Sequence, residues 1–194
     1  MAGLPDGGKV LPITRWGTPV MHQRCRPVTE FDDALAQLVA DMTATMHAAD
    51  GVGLAANQVG IDLAFFVFYC TDEDDVLHEG VVCNPTVELP EGRARDLDDS
   101  DEGCLSLPGA YVPCARPDFA TVRGVDLTGA PLELTGTGLL ARCFQHETDH
   151  TNGIVFADRI SKRWRKKLYA EHEMLAGGYP ADWPVSPGPA DHAS

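Results

Sequence analysis

The sequence predicts an α+β fold, with mixed or antiparallel strands packed against helices. Three observations lead there. Apolar residues recur at helical spacing in three separate stretches. Short apolar or turn-bounded runs lie between the first two of these stretches. Strands and helices do not alternate regularly, as a doubly wound sheet would require.

Residues 1–28 read as irregular, broken by Pro5, Pro12, Pro19 and Pro27. A first helix is expected from about Thr29, with Asp32 three residues on as a weak variant of the capping box. Phe31, Leu35, Leu38, Met42 and Met46 form its apolar stripe, and Gly51 and Gly53 end it. Residues 61–70 are a buried strand, and residues 81–89 a second in which Pro85 marks an edge or irregular stretch. Residues 119–127 and 131–136 flank Thr128-Gly129 as a hairpin, with Gly124 as a bulge candidate. A second helix runs from about Thr137 to Thr151, capped by Thr135 or Thr137 and stopped by Asn152-Gly153. Leu139, Cys143, His146 and His150 share one of its stripes. A third helix follows Ser161 and carries Trp164, Leu168 and Leu175 on one side. Residues 1–176 are expected to form one domain. Residues 177–194, with four prolines, are expected to form a flexible tail. The acidic segments 71–79 and 96–101 read as loop elaborations.

The chain has 194 residues, 44% hydrophobic and 23% charged, enough for one domain with a substantial core. No run approaches the roughly 18 apolar residues of a membrane span, and the first residues lack a secretory pattern. Six cysteines without a CxxC pair point to a reducing, cytoplasmic setting. A net charge of −14 argues against general nucleic-acid binding. The exception is the basic run Lys162-Arg163-Trp164-Arg165-Lys166-Lys167, which reads either as a solvated helix face or as a docking patch for an anionic partner.

Gln145-His146-Glu147-Thr148-Asp149-His150 contains H-E-x-x-H. On a helix, residues four apart lie one turn apart, so both imidazoles can reach one cation. Glu147 can then manage the proton of a water activated at that cation. A bare H-E-x-x-H also arises by chance. Asp149 reads equally as an outer partner for a ligating imidazole or as a solvated helix residue. A catalytic site needs a third protein ligand and an open position. His172 is too far along the chain, and the better candidate is upstream, in Glu102-Gly103-Cys104-Leu105-Ser106. There Gly103 permits close backbone approach to a ligand. A lone cysteine is ordinarily a buried structural thiol, so both readings of Cys104 stand.

Three segments together resemble the signature motifs of the peptide deformylases. They are Gly51-Val52-Gly53-Leu54-Ala55-Ala56-Asn57-Gln58, then Glu102-Gly103-Cys104-Leu105-Ser106, then Gln145-His146-Glu147-Thr148-Asp149-His150, in the family's order. The resemblance covers roughly residues 10 to 172. It implies strands around a central motif-bearing helix, followed by a C-terminal helix. It implies a hydrolase that removes the formyl group from the N-terminal formylmethionine of nascent polypeptides, releasing formate. Cys104, His146 and His150 are then the metal ligands, with Fe(2+) the usual ion and Zn(2+) or Ni(2+) as substitutes. Glu147 is the general acid and base, and the Gln58 amide and the Leu105 backbone N–H stabilise the oxyanion. By the same resemblance Val52, Leu139, Cys143 and the stem of Arg142 line a methionine pocket, while Val52 and Gly53 pair with the extended peptide and Gly103 lies beside it. Arg142 and Tyr111 stand where many bacterial members carry an aliphatic residue and an arginine, which puts peptide preference in question. The basic helix becomes a candidate for ribosome docking. Two other readings use the same residues. A zinc peptidase built on His146, Glu147 and His150 would be indifferent to loss of Cys104, and a degenerate member would bind metal without turnover.

Overall fold

The computed structural model describes residues 3–92 and 95–189. Helix α1 spans Asp33–Ala48 and begins later than the sequence suggested. Its cap is Asp32 itself, whose side chain accepts from the Leu35 N–H at 3.0 Å; Thr29 plays no part in the cap. The helix ends before either glycine. Asp50 takes the left-handed conformation at φ 51°, and the Gly51 N–H reaches back to the Met46 carbonyl.

The strands are β1 (Gly53–Ala55), β2 (Phe65–Thr71), β3 (Leu77–Glu88), β4 (Leu97–Asp98), β5 (Asp101–Gly103), β6 (Tyr111–Pro113), β7 (Arg116–Pro117), β8 (Phe119–Val125) and β9 (Pro131–Thr137). Helices α2 (Gly138–Thr151) and α3 (Lys162–Leu175) follow. The main sheet is antiparallel in the order β1-β2-β3-β8-β9, and β4 with β7 and β5 with β6 form two small ribbons. The α+β architecture is therefore as expected. Three details differ. Strand β1 lies inside the first motif, where no strand was anticipated. The bulge lies in β3 and not at Gly124: one extra residue falls between Cys83 and Thr86, where Asn84 sits at φ 54°. Gly124 is needed opposite it, since a Cβ there would lie 2.4 Å from the Cys83 carbonyl oxygen. Segment 96–101 is also not a plain loop, because it contributes to both β4 and β5. The residues between β2 and β3 do form a turn, in which the Asp72 carboxylate accepts from the Asp74 and Val76 N–H groups.

Strand β2 explains how two helices share one sheet. Successive side chains point to opposite faces. Phe65 and Val67 join Leu35, Val39, Met42 and Met46 of α1, while Phe66 and Phe68 join Leu140, Cys143 and Phe144 of α2. The Phe68 and Phe144 rings meet edge-on at 5.3 Å. A third cluster gathers Leu107, Val112, Phe156 and Leu168. Residues 140–151 of α2 are buried as a result, so this helix is central. Thr137 is its N-cap residue, but the side chain makes no capping bond.

The C-terminal segment is not a loose extension over its described length. Trp183 is 7% exposed and packs with Ile13 and Met46 in the α1 cluster. Its large apolar ring outweighs the local proline content that suggested a tail. Residues 190–194 of that expected tail lie outside the described residues.

Candidate metal centre

His146 and His150 project from one face of α2, with their Nε2 atoms 3.0 Å apart. Cys104, just after β5, brings its Sγ within 3.3 Å of His150 Nε2. The three donor atoms lie within 4.8 Å of one another, and all three residues are buried. Cys104 is thus part of a cluster and not an isolated core thiol. Gly103 permits this course of the chain, since a Cβ there would stand 2.3 Å from the Tyr111 ring.

Glu102 orients the first imidazole. Its Oε1 accepts from His146 Nδ1 at 2.7 Å, which turns the His146 Nε2 edge toward His150. Arg116 grips both Glu102 oxygens at 2.7 Å, and Arg142 adds a bond at 3.2 Å. Asp149 does not fill this role, contrary to one reading of the sequence. It accepts from Arg116 and Arg159 instead. The second histidine is held through its backbone, where the Asn57 amide donates to the His150 carbonyl at 2.7 Å.

The buried ionisable groups of the cluster shift one another strongly. Burial disfavours charge on His146, but its bonds to Cys104 and Glu102 prevail and hold its pKa well above the ordinary value. Burial and then the nearby His146 push His150 well below. Burial also works against the Glu102 carboxylate, yet His146 and Arg116 keep it ionised far below the usual range. The two imidazoles are thus shifted in opposite directions, one toward its charged form and one away from it. A sulfur with two nitrogens suits a borderline ion such as zinc, iron or nickel. Three protein donors leave a coordination position open, as catalytic sites require.

Glu147 lies beside this cluster, 4% exposed, and its Oε2 has no hydrogen-bond partner among the described residues. Burial raises its pKa to about 7. A Cβ on Gly53 would lie 2.6 Å from Glu147 Oε1 and 2.8 Å from Cys143 Sγ, so only glycine lets β1 approach here. The Gln58 side chain is fixed at one end, where Oε1 accepts from the Ala55 N–H at 2.9 Å. Its Nε2 faces Cys104 Sγ at 3.5 Å and Ser106 Oγ at 3.3 Å.

Cys104, His146, Glu147, Gln58 and Glu102 border a cavity of about 510 Å³. Of the residues that the sequence singled out for the site, all but His150 line it, from Val52, Gly53 and Gln58 to Leu139, Arg142 and Cys143, while His150 lies fully buried behind them. Arg142 does more than lend its stem. Its guanidinium donates to the carbonyls of Asp98, Ser100 and Cys114, which pins segment 96–101 to α2.

A model of the polypeptide deformylase family matches residues 10–166. The chain belongs to that family. It is 55% identical to peptide deformylase 1 of Streptomyces avermitilis, over 89% of this chain and 81% of that protein. It is 42% identical to a peptide deformylase of Mycolicibacterium paratuberculosis, over 93% and 96% of the two chains. Among solved structures, the Synechococcus elongatus peptide deformylase in complex with actinonin aligns with a TM-score of 0.76 at 38% identity, covering 91% of this chain and 95% of that one. The family's reaction is metal-dependent hydrolysis of the N-formyl group of nascent polypeptides, and this chain is an enzyme of that class.

Sequence reasoning missed Glu102 as the imidazole's partner, and with it Arg116 and Asn57. Glu102 was visible inside the second motif, two residues before a proposed ligand. Nothing in the sequence separated it from Asp149. Replacing Glu102 by glutamine should weaken metal retention about 10- to 100-fold, the usual cost of losing such a partner. Metal content after dialysis against a graded chelator series would show it, and wild-type retention would count against the orienting role.

Proposed function

We propose that this deformylase works through Cys104, His146 and His150 as metal ligands, with Glu147 as the proton carrier. The observation that carries this reading is the convergence of the Cys104 sulfur on the paired imidazoles, beside a buried carboxyl. When bound, the cation supplies the positive charge that polarises the formyl group and acidifies water. Glu147 takes a proton from the attacking water and delivers it to the amide nitrogen, so that formate and a free amino terminus leave. A carboxyl shifted toward neutrality suits both halves of that task. The Gln58 Nε2 and the Leu105 N–H donate to the oxygen that becomes negative as the formyl carbon turns tetrahedral. Gln58 is held from behind by Ala55, so it need not reorganise.

The substrate lies along β1. This strand is at the edge of the sheet, and Val52 already accepts from the Tyr69 N–H on the inner side. Backbone groups alternate along a strand, so those of Gly53 face outward, where an extended peptide can add as a further strand. Val52, Leu139, Cys143 and the stem of Arg142 then enclose the methionine, with Gly103 on the other side of the peptide.

Ferrous iron is the ion we assign, and a cytoplasmic location fits both the substrate and six unpaired cysteines. Among the described residues no helix is long and apolar enough to cross a membrane. The deciding experiment pairs metal analysis of anaerobically purified protein with formate release from formyl-Met peptides. One iron per chain with turnover is expected. Cleavage of internal peptide bonds without formate would support the peptidase reading instead.

Helix α3 extends the reading to the ribosome. Lys162, Arg163, Lys166 and Lys167 are exposed, Lys167 paired with Glu171, whereas Arg165 is half-buried and tied to the Ala157 carbonyl. Neutralising Lys162, Arg163, Lys166 and Lys167 should weaken ribosome co-sedimentation by about tenfold or more at moderate salt. Unchanged co-sedimentation at low salt would refute docking through this helix.

A further inference from the structure

The cavity has a wall that none of the three motifs supplies. Tyr179, Trp183, Pro187, Gly188 and Pro189 border it, together with Ala49 and Gly51 from the first motif region and Leu105, Pro108 and Gly109 from the second. Its volume is in the range of sites for drug-sized ligands, more than a single residue demands.

This strap is fastened at several points. The Ile13 N–H donates to the Trp183 carbonyl at 2.8 Å. Arg15 Nη2 donates to the carbonyls of Tyr179 and Pro180 at 3.2 and 3.0 Å, and its guanidinium lies over the Trp183 ring. The Tyr179 and Trp183 rings meet edge-on at 5.2 Å. Gly188 lies so close that a Cβ would be 3.0 Å from both rings. Pro187 and Pro189 flank this glycine and remain exposed while lining the cavity. Their rings are rigid and carry no N–H, so they offer apolar contact at little cost in order.

We infer that residues 179–189 form a fixed wall of the peptide groove, and that Pro187 and Pro189 select apolar side chains in the residues after the formyl-methionine. The inference deepens the deformylase reading and rests on it.

The test uses the full-length, metal-loaded enzyme and two probes, formyl-Met-Leu-Phe and formyl-Met-Ser-Ser. The wild type should favour the first in kcat/KM. In the double variant Pro187→Asp, Pro189→Asp that preference should fall about fivefold, the effect of losing a few tens of Å² of apolar contact per ring. Both positions are exposed, so the variant should melt with the wild type. Arg15→Ala, which loosens the strap without altering its surface, should reduce the preference in the same direction. A preference unchanged in the double variant, or equal losses on both probes, overturns the inference. Absence of formate release from either probe by the wild type would instead overturn the deformylase reading.

Discussion

Replacing Glu147 by alanine is expected to lower kcat for formate release by about three orders of magnitude, within the range of general acid–base contributions. The metal should stay, because the three converging donor atoms belong to Cys104, His146 and His150. Stability should not suffer either. Glu147 is desolvated, its pKa is raised to about 7, and Oε2 lacks a partner among the described residues. Removing such a carboxyl relieves an unfavourable burial. Loss of turnover with full metal content and an undiminished melting temperature is therefore the signature. Glu147→Gln, which keeps the shape and cannot carry the proton, should be nearly as inactive. An alanine variant that still turns over would remove Glu147 from the proton pathway.

Cys104→Ala should act by another route, through the metal itself. Two imidazoles cannot hold the ion as three donors do. The loss of affinity should exceed the roughly 10- to 100-fold expected for an outer partner such as Glu102. Purified protein should carry little metal, and formate release should fall to background even when metal is added in modest excess. The fold should survive, since the side chain is small and only one of many buried members of its cluster, which also holds Leu107, Val112, Phe156 and Leu168. This variant also separates the two hydrolase readings. A peptidase relying on His146, Glu147 and His150 alone would keep its metal and its activity.

The two variants differ in how well the sequence foretold them. His146, Glu147 and His150 form a local pattern. A helix places residues four apart one turn apart whatever surrounds it, so their shared face could be read directly. Cys104 joins them from 46 positions before His150, and no local periodicity encodes that distance. It became legible only through the resemblance of three ordered motifs. Helix boundaries fared less well at α1, where Asp32 took the cap that Thr29 was expected to influence. Caps depend on one backbone turn, and several neighbouring side chains can satisfy it.

By itself, the sequence determined the α+β class, the three helices, the hairpin of β8 and β9, and the placing of His146, Glu147 and His150 on one helix. Tertiary structure alone decided which carboxylate steadies His146. The β5–β6 pairing brings Glu102 to the imidazole, while Arg116 and Arg159 claim Asp149. It also decided that residues 179–189 fold back to wall the cavity. Local composition sets what a segment can do when solvated. Burial of Trp183 against a distant core is a contact between remote parts of the chain, and such contacts exist only once the whole chain has folded.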